Sequence, residues 1–335
     1  MGVQIGDIVP KKRVSIDELR GKKIAVDAMN FLYQFLSIIR QRDGELLRDS
    51  KGRITSHLSG VFYRTSNLVE AGILPVYVFD GEPPKLKMKT VEERRAGREK
   101  AAEEWSRAVV EGRIEDARKF AQRSARVDRV MVEQTKELLE YMGIPWVQAP
   151  GEGEAQAAYL VIRGDAWAVA SQDFDALLFG SPVLVRNLAM TGRRKLPGKD
   201  VYIEVQPEVV DLSEMLRGLG ITRDQLVDIG ILVGTDYNSG IKGIGPKKAL
   251  ELVKGGGFTD EMEFEVDPAE VRNIFLKPAV TQDYAIRWTN PDPEGIKKFL
   301  CDEYDFSESR VQGGIEKLIK GRANVSQASL DRWFG

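Results

Sequence analysis

Two pairs of acids constrain this chain more than any other feature. Glu152 and Glu154 stand between glycines in PGEGEAQAA, Pro150 to Ala158, at what reads as the start of a helix. Asp173 and Asp175 follow in AWAVASQDFDALLFG, Ala166 to Gly180, a buried strand whose end delivers both. Acids a few Å apart cannot all stay ionised without compensation. A solvated loop would supply it for one such pair. Two pairs, each abutting an apolar run, ask for cations between them. Hard divalent cations such as Mg²⁺ prefer carboxylate and water oxygens.

The same pattern recurs upstream. KKIAVDAMNFLYQFL opens on a short apolar strand, Ile24 to Val26, that ends on Asp27. A helix carrying Phe31, Leu32, Phe35 and Leu36 follows. LPVYVFDGEPP is a strand, Val76 to Phe79, ending on Asp80, and Pro83 and Pro84 stop it. Thr55 to Gly72 predicts a second helix, capped by Thr55 or Ser56. Strands apolar on both faces that alternate with helices predict an α/β fold, a mostly parallel central sheet flanked by helices. Open sheets of this kind place their ligand crevice at the carboxyl ends of strands. Asp27, Asp80 and Asp173 all fall at such ends.

Composition narrows the chemistry. A length of 335 residues allows two domains or one large α/β unit. One cysteine, Cys301, and one histidine, His57, exclude a disulfide framework and a Cys/His zinc site. His57 has no neighbours that suit nucleophilic catalysis, and reads as a helix residue at a core edge or near a phosphate. No run reaches about 18 apolar residues, and the N-terminus lacks a signal-peptide core, so the expectation is an intracellular, cytoplasmic protein with no membrane span. The net charge of −2 does not advertise nucleic acid, but removing seven candidate ligand acids leaves +5 on the remainder.

The charge is unevenly spread. From Lys85 to Val130, 23 of 46 residues are charged and 14 of those are basic, with apolar residues sparse. Such helices bury poorly and stand away from the core. An ordinary solvated helical hairpin fits this as well as a substrate-facing arch does. Val130 to Tyr141 recovers an amphipathic pattern. Pro182 to Lys199 predicts a β-hairpin or strand pair with Arg193, Arg194 and Lys195 at its tip. Thr222 to Leu232 predicts a helix, and GTDYNSGIKGIGPKKALELVK follows. There Gly243 and Gly245 precede Pro246 at a helix start, a turn whose N–H groups can face a phosphate. Lys247 and Lys248 add charge. A tight helix–helix turn needs glycine too. Glu261 to Leu318 predicts helices and loops with no evident chemistry.

Seven carboxylates, with Asp236 added to the six above, exceed what one general acid–base pair needs. They suit two metal ions about 3.5–4 Å apart acting on a phosphodiester. The basic elements suit a nucleic-acid backbone. Tyr33 is placed either to stack on an unpaired base or to pack in the core.

IAVDAMNFLYQFL, VYVFDGEPPKLK, PGEGEAQAA, SQDFDALLFG and GTDYNSGIKGIGPKKAL together resemble the motif series of the structure-specific 5′ nucleases, and within them the archaeal flap endonucleases. The resemblance covers nearly the whole chain. It implies one nuclease domain over 1–325: an N-terminal region to 84, an arch over 85–130, an internal region over 131–260 with a helix–hairpin–helix at 222–255, and a C-terminal helical region over 261–325. It implies hydrolysis near the base of a 5′ DNA flap with two Mg²⁺, for which Mn²⁺ substitutes, in Okazaki fragment maturation and base excision repair, with added 5′–3′ exonuclease activity. Asp27, Asp80, Glu152 and Glu154 become ligands of one metal group, and Asp173, Asp175 and Asp236 of the other. Lys87 and Arg94 match arch residues that approach the scissile phosphate, and Tyr33 the stacking aromatic. Gly2, Thr55 and Arg64 match residues near the DNA. The segment of Lys242, Gly243, Gly245, Lys247 and Lys248 matches the phosphate site that also holds K⁺. The chain is expected to act as a monomer on branched DNA.

The end of the chain, SQASLDRWFG over 326–335, places Gln327, Leu330 and Trp333 three apart, with Phe334 adjacent. A 3₁₀ turn would align them. The pattern is similar to the box by which replication proteins bind a trimeric sliding clamp. Two other readings stand beside this one: a sibling 5′ nuclease acting on gaps, nicks or bubbles, and a non-catalytic DNA-binding module recruited by a clamp. The short interval between the Asp80 and Glu152 motifs disfavours the bubble nuclease, which carries a long insertion there. Gathered acids disfavour the module, because binding alone gains nothing from negative charge near phosphates.

Overall fold

The computed structural model describes residues 2–41, 43–190, 192–195, 202–258 and 262–334, with side chains over 190–203 and 325–334 not considered, and the described residues form nine strands and thirteen α-helices. The strands are β1 (Lys12–Arg13), β2 (Lys23–Asp27), β3 (Leu74–Phe79), β4 (Trp146–Gln148), β5 (Ala168–Ala170), β6 (Val183–Arg186), β7 (Gly192–Lys195), β8 (Tyr202–Val205) and β9 (Glu208–Asp211). Seven of them form one sheet in the order β1-β9-β6-β5-β2-β3-β4, and β7 pairs with β8. The pairings from β4 across to β6 are parallel, while β9 runs antiparallel to both its neighbours.

Alternation along the central strands explains the layers. Ile24 and Val26 of β2, with Tyr77 and Phe79 of β3, face one core. Ala25, Val76 and Val78 face the other. Both faces are therefore apolar and both are covered, as a parallel sheet requires. On the first face lie α1 (Ala28–Ile38), α2 (Ser56–Glu70), α5 (Arg129–Tyr141), α12 (Pro293–Lys297) and the first turns of α13 (Glu308–Phe334). On the second lie α6 (Gly153–Ile162), α7 (Asp175–Leu178), α8 (Leu212–Leu219), α9 (Arg223–Val233), α10 (Pro246–Lys254) and α11 (Pro268–Leu276).

The basic stretch forms α3 (Met88–Val110) and α4 (Ile114–Arg123). Their buried residues are alanines, Ala101, Ala108, Ala117 and Ala121, so the two helices pack mainly on each other. The pair is moored to the body as well. Trp105 Nε1 donates to the Asp43 carbonyl at 3.4 Å and Ser37 Oγ to the Gln122 carbonyl at 3.5 Å.

Three expectations need correction. Pro182 to Lys199 is not a hairpin, because β6 belongs to the main sheet between β5 and β9, while β7 pairs with β8. Arg193, Arg194 and Lys195 accordingly lie within β7, and the connection over 196–201 lies outside the described residues. Thr55 does occupy the N-cap of α2, yet its side chain makes no capping hydrogen bond and is buried. The tail backbone continues α13 through Phe334 as α-helix instead of forming a 3₁₀ turn; the side chains of Gln327, Leu330, Trp333 and Phe334 lie outside those described. Among the described residues, no helix is long and apolar enough to cross a membrane.

Candidate active site

The parallel strands deliver their acids to one end of the sheet. Asp27 closes β2 and caps α1, accepting the Asn30 N–H at 3.0 Å. Asp80 is the first residue after β3 and accepts the Gly153 N–H at 2.7 Å. Glu152 is the N-cap of α6 and Glu154 lies in its first turn. Asp173 sits in the loop three residues beyond β5, not on the strand itself. Asp175 opens α7, and Asp236 follows α9.

The cost of this gathering shows in the proton affinities. Asp27 is pushed up to about 8, first by burial and then by Asp80 and Asp173. Asp175 is pushed up to about 7 by burial and by Asp236. Glu154 lies well above the ordinary carboxylate range through burial and the charges of Asp175, Asp27 and Asp173. Glu152 is raised by burial although Lys87 pulls it down. Burial lifts Asp80 as well, against Lys87 and the Gly153 N–H.

Cations from the start of the arch reach into the cluster. Lys87 Nζ lies 2.5 Å from Glu152 Oε2 and 3.5 Å from Asp236 Oδ2. Burial alone would lower its pKa; Glu152, Asp80 and Asp236 together raise it. Arg94 pairs with Asp236 as well. Arg98, which the sequence reading did not single out, lays its guanidinium 4.8 Å from the centre of the Tyr33 ring. Lys87 is the N-cap of α3, and Arg94 and Arg98 follow at seven and four residues on the same side, a periodicity that could have found Arg98. Tyr33, Asp80, Lys87, Arg94, Arg98 and Glu152 line a cleft of about 210 Å³. Tyr33 is half-buried at this cleft and not part of the core.

The donor set is all carboxylate, which suits hard divalent cations. Glu154 Oε1 is buried without a hydrogen-bond partner, as a ligand oxygen would be. Among the described residues, no three acids are gathered tightly enough to ligate one ion as they stand. Existing partners account for this: Lys87 stands between Glu152 and Asp236, Arg94 holds Asp236, and Val3 N–H holds Asp175 Oδ1 at 2.7 Å.

The remaining predicted residues fall around this centre or apart from it. Gly2 borders Asp175 so closely that a β-carbon there would lie 2.5 Å from Asp175 Oδ2. The α9–α10 connection folds as the glycines require: Gly243 has φ of +83°, and Gly245 caps α10 with Pro246 at its first position. Lys242, Lys247 and Lys248 are exposed there. The first N–H groups of a helix lack intrahelical acceptors, so those of Lys247 and Lys248 are open to an anion. Thr55 is buried and Arg64 is exposed on α2, with no hydrogen bond or ion pair to the acids among the described residues.

A parallel-centred sheet, a carboxylate cleft at its strand ends and a basic helical arch over that cleft define a structure-specific 5′ nuclease. Residues 1–101 match the XPG N-terminal domain and 143–236 the XPG I-region. Flap endonuclease 1 of Pyrococcus abyssi is 57% identical over 100% of this chain and 98% of its own length. That of Pyrococcus furiosus is also 57% identical, over 100% and 99%. The solved structure of flap endonuclease-1 from Methanococcus jannaschii superposes with a TM-score of 0.78 at 49% identity, covering 96% of this chain and 99% of that one. The chain belongs to the flap endonuclease 1 family, hydrolases that cut DNA carrying a 5′ flap and depend on divalent metal.

Proposed function

We propose that the acids gathered at the strand ends, beside this cleft, hold two Mg²⁺ ions, with Mn²⁺ able to substitute. Asp27, Asp80, Glu152 and Glu154 serve one and Asp173, Asp175 and Asp236 the other. The observation that carries this reading is the crowd of protonation-prone carboxyls around the partnerless Glu154 Oε1. Divalent cations there supply Lewis acidity, favouring deprotonation of the attacking water and neutralising charge on the leaving oxygen.

The chain's own residues do the rest. Lys87 and Arg94 exchange their carboxylate partners for the scissile phosphate and stabilise the charge that develops on it. Tyr33 gives up its contact with Arg98 and stacks on an unpaired base. The Gly2 amine, beside Asp175, borders the substrate. The exposed lysines and N–H groups at the start of α10 hold the duplex backbone, with K⁺ at the same turn. Thr55 and Arg64 stand near the DNA. The terminal Gln327, Leu330, Trp333 and Phe334 bind a trimeric sliding clamp. The enzyme works as a monomer in the cytoplasm, on Okazaki fragments and in base excision repair, with 5′–3′ exonuclease activity as a second outcome of the same site. Its regions divide as the sequence divides them, with the arch over 85–130 and the tail over 326–335.

The test is a labelled 5′-flap duplex incubated with Mg²⁺, with Mn²⁺ and with EDTA, beside gapped and nicked duplexes. Cleavage near the flap base with either metal, none with EDTA, and preference for the flap are expected. Asp80→Ala and Asp175→Ala should abolish cleavage and leave flap binding largely intact. Near-normal single-turnover cleavage by either variant would refute the ligand assignment.

A further inference from the structure

Asn30 stands in the first turn of α1, three residues past Asp27 and half-buried. Its backbone N–H makes the cap bond to Asp27 described above, as any residue at that position would. Its side chain does something a cap does not require. Nδ2 donates to Asp173 Oδ2 at 3.2 Å. Oδ1 accepts the Gln172 backbone N–H at 3.2 Å and a second hydrogen bond from Gln34 Nε2. One amide therefore joins the β2–α1 junction to the β5–α7 loop, the two segments that carry Asp27 and Asp173.

That loop needs holding. The last backbone bond to the sheet is Ser171 N–H to the Val185 carbonyl of β6 at 3.3 Å, and Gln172 to Phe174 lie beyond it. Arg186 Nε grips the Gln172 carbonyl at 3.1 Å from the opposite side, and its guanidinium lies 4.4 Å from the Phe174 ring centre. The Asp173 N–H is held by Ser171 Oγ at 3.2 Å. These contacts fix the backbone. Among the described residues, the bond from Asn30 Nδ2 is the one that acts on the Asp173 carboxylate itself. Gln34, one turn further along α1, fixes which way the Asn30 amide faces: by donating to Oδ1 it leaves Nδ2 for the carboxylate.

We infer that Asn30, with its amide oriented by Gln34, is a positioning residue that aims Asp173 for divalent-cation binding. This rests on the reading of Asp173 as a metal ligand. Partners of this outer kind set ligand orientation without touching the ion. A neutral amide suits the task, because it donates to a carboxylate without bringing a cation that would compete with the metal.

The test is calorimetric titration of Mg²⁺ and of Mn²⁺ into the full-length, DNA-free protein, for wild type, Asp173→Ala, Asn30→Ala, the near-isosteric Asn30→Leu, and Gln34→Leu. Both Asn30 variants should bind metal about tenfold or more weakly, the low end of the usual loss for outer partners. Gln34→Leu should show a smaller loss of the same kind. Thermal midpoints of the metal-free proteins should stay near wild type. On a flap duplex, Asn30→Ala should need more Mg²⁺ for half-maximal single-turnover rate and recover toward wild type at saturating Mg²⁺. Its DNA affinity in Ca²⁺ should not change. Wild-type metal affinity in both Asn30 variants, or a loss seen only in step with a falling thermal midpoint, would overturn the positioning role. If Asp173→Ala itself binds metal as wild type does, the ligand reading fails first; if Asp173→Ala loses metal and the Asn30 variants do not, only the positioning role fails.

Discussion

His57, the single histidine of the chain, is fully buried on α2. Its Nε2 lies 2.8 Å from Gln134 Oε1, and Gln134 Nε2 donates to the Tyr304 hydroxyl at 2.6 Å. Because the Gln134 oxygen can only accept, the ring donates from Nε2 and leaves Nδ1 without a partner. Burial pushes its pKa down to about 4, against the Gln134 bond and Asp128. The unfolded chain takes up this proton near pH 6.5 while the folded one refuses it until about pH 4. Stability is therefore lost as pH falls across that window, by about 3 kcal/mol in all. Asp27 and Asp175 act with the opposite sign, since the fold keeps protons on them up to about 8 and about 7. Denaturant unfolding of wild type and His57→Gln at each pH isolates the histidine: the difference between the two proteins should shrink toward low pH, and a pH-independent difference would assign His57 to packing alone. The sequence placed this residue in a helix, at a core edge or near a phosphate, and the fold carries it fully inside. The places of Asp27 and Asp80 were legible because each stands at the end of an apolar strand. Asn30 was not, since an amide near a helix start is ordinary until the distant Gln172 and Asp173 come beside it.

At the scale of elements, strands were legible where both faces are apolar. Ile24 to Val26 and Val76 to Phe79 each grew by a residue or two at their ends and kept their place. The pairing of β6 with β9 was not legible, because a strand's partner is a tertiary choice and β7–β8 intervenes in sequence. The basic stretch was legible as poorly buried helices, but the contacts of Lys87 with Glu152 and of Arg94 with Asp236 come only from the fold. Lys87→Ala and Arg94→Ala should each lower the single-turnover rate at saturating enzyme by roughly 10²–10³, with a smaller change in flap affinity. A fall in affinity with an unchanged rate would make them DNA anchors only. The α9–α10 turn leads to a different signature. Its lysines are exposed and hold none of the acids, so Lys247→Ala with Lys248→Ala should weaken binding and reduce the log–log salt slope by about 0.9 per lost phosphate contact. Binding isotherms across a salt series measure this, and an unaltered slope would mean the lysines point away from DNA.

Across the whole molecule, α13 joins the nuclease body to the end of the chain. Val311, Ile315 and Leu318 form its buried stripe against the core that includes Phe62 and Val69 of α2, and Lys317 and Lys320 pair with Glu70. Continuing the same spacing along the sequence, the next positions are Arg322, Val325 and Ser329. Docking runs past Leu318: Gly321 is buried where a β-carbon would meet the Val69 carbonyl of α2, and Arg322 donates to the Trp288 carbonyl at 2.8 Å. In the sequence, Leu330, Trp333 and Phe334 form a second apolar group beyond GRANVSQAS. Two adjacent aromatics with a leucine three residues before make a strong anchor for a partner pocket. Trp333→Ala with Phe334→Ala should therefore abolish binding to the trimeric clamp and any stimulation of cleavage by it. The same variant should cut a free flap duplex at the wild-type rate and unfold at the wild-type midpoint, because the stripe from Val311 to Leu318 is untouched. Clamp titration by calorimetry, paired with clamp-free cleavage and a melting curve, separates the cases. Retained clamp affinity would refute the anchor, and a drop in midpoint or in clamp-free cleavage would mean that the two rings pack on their own chain.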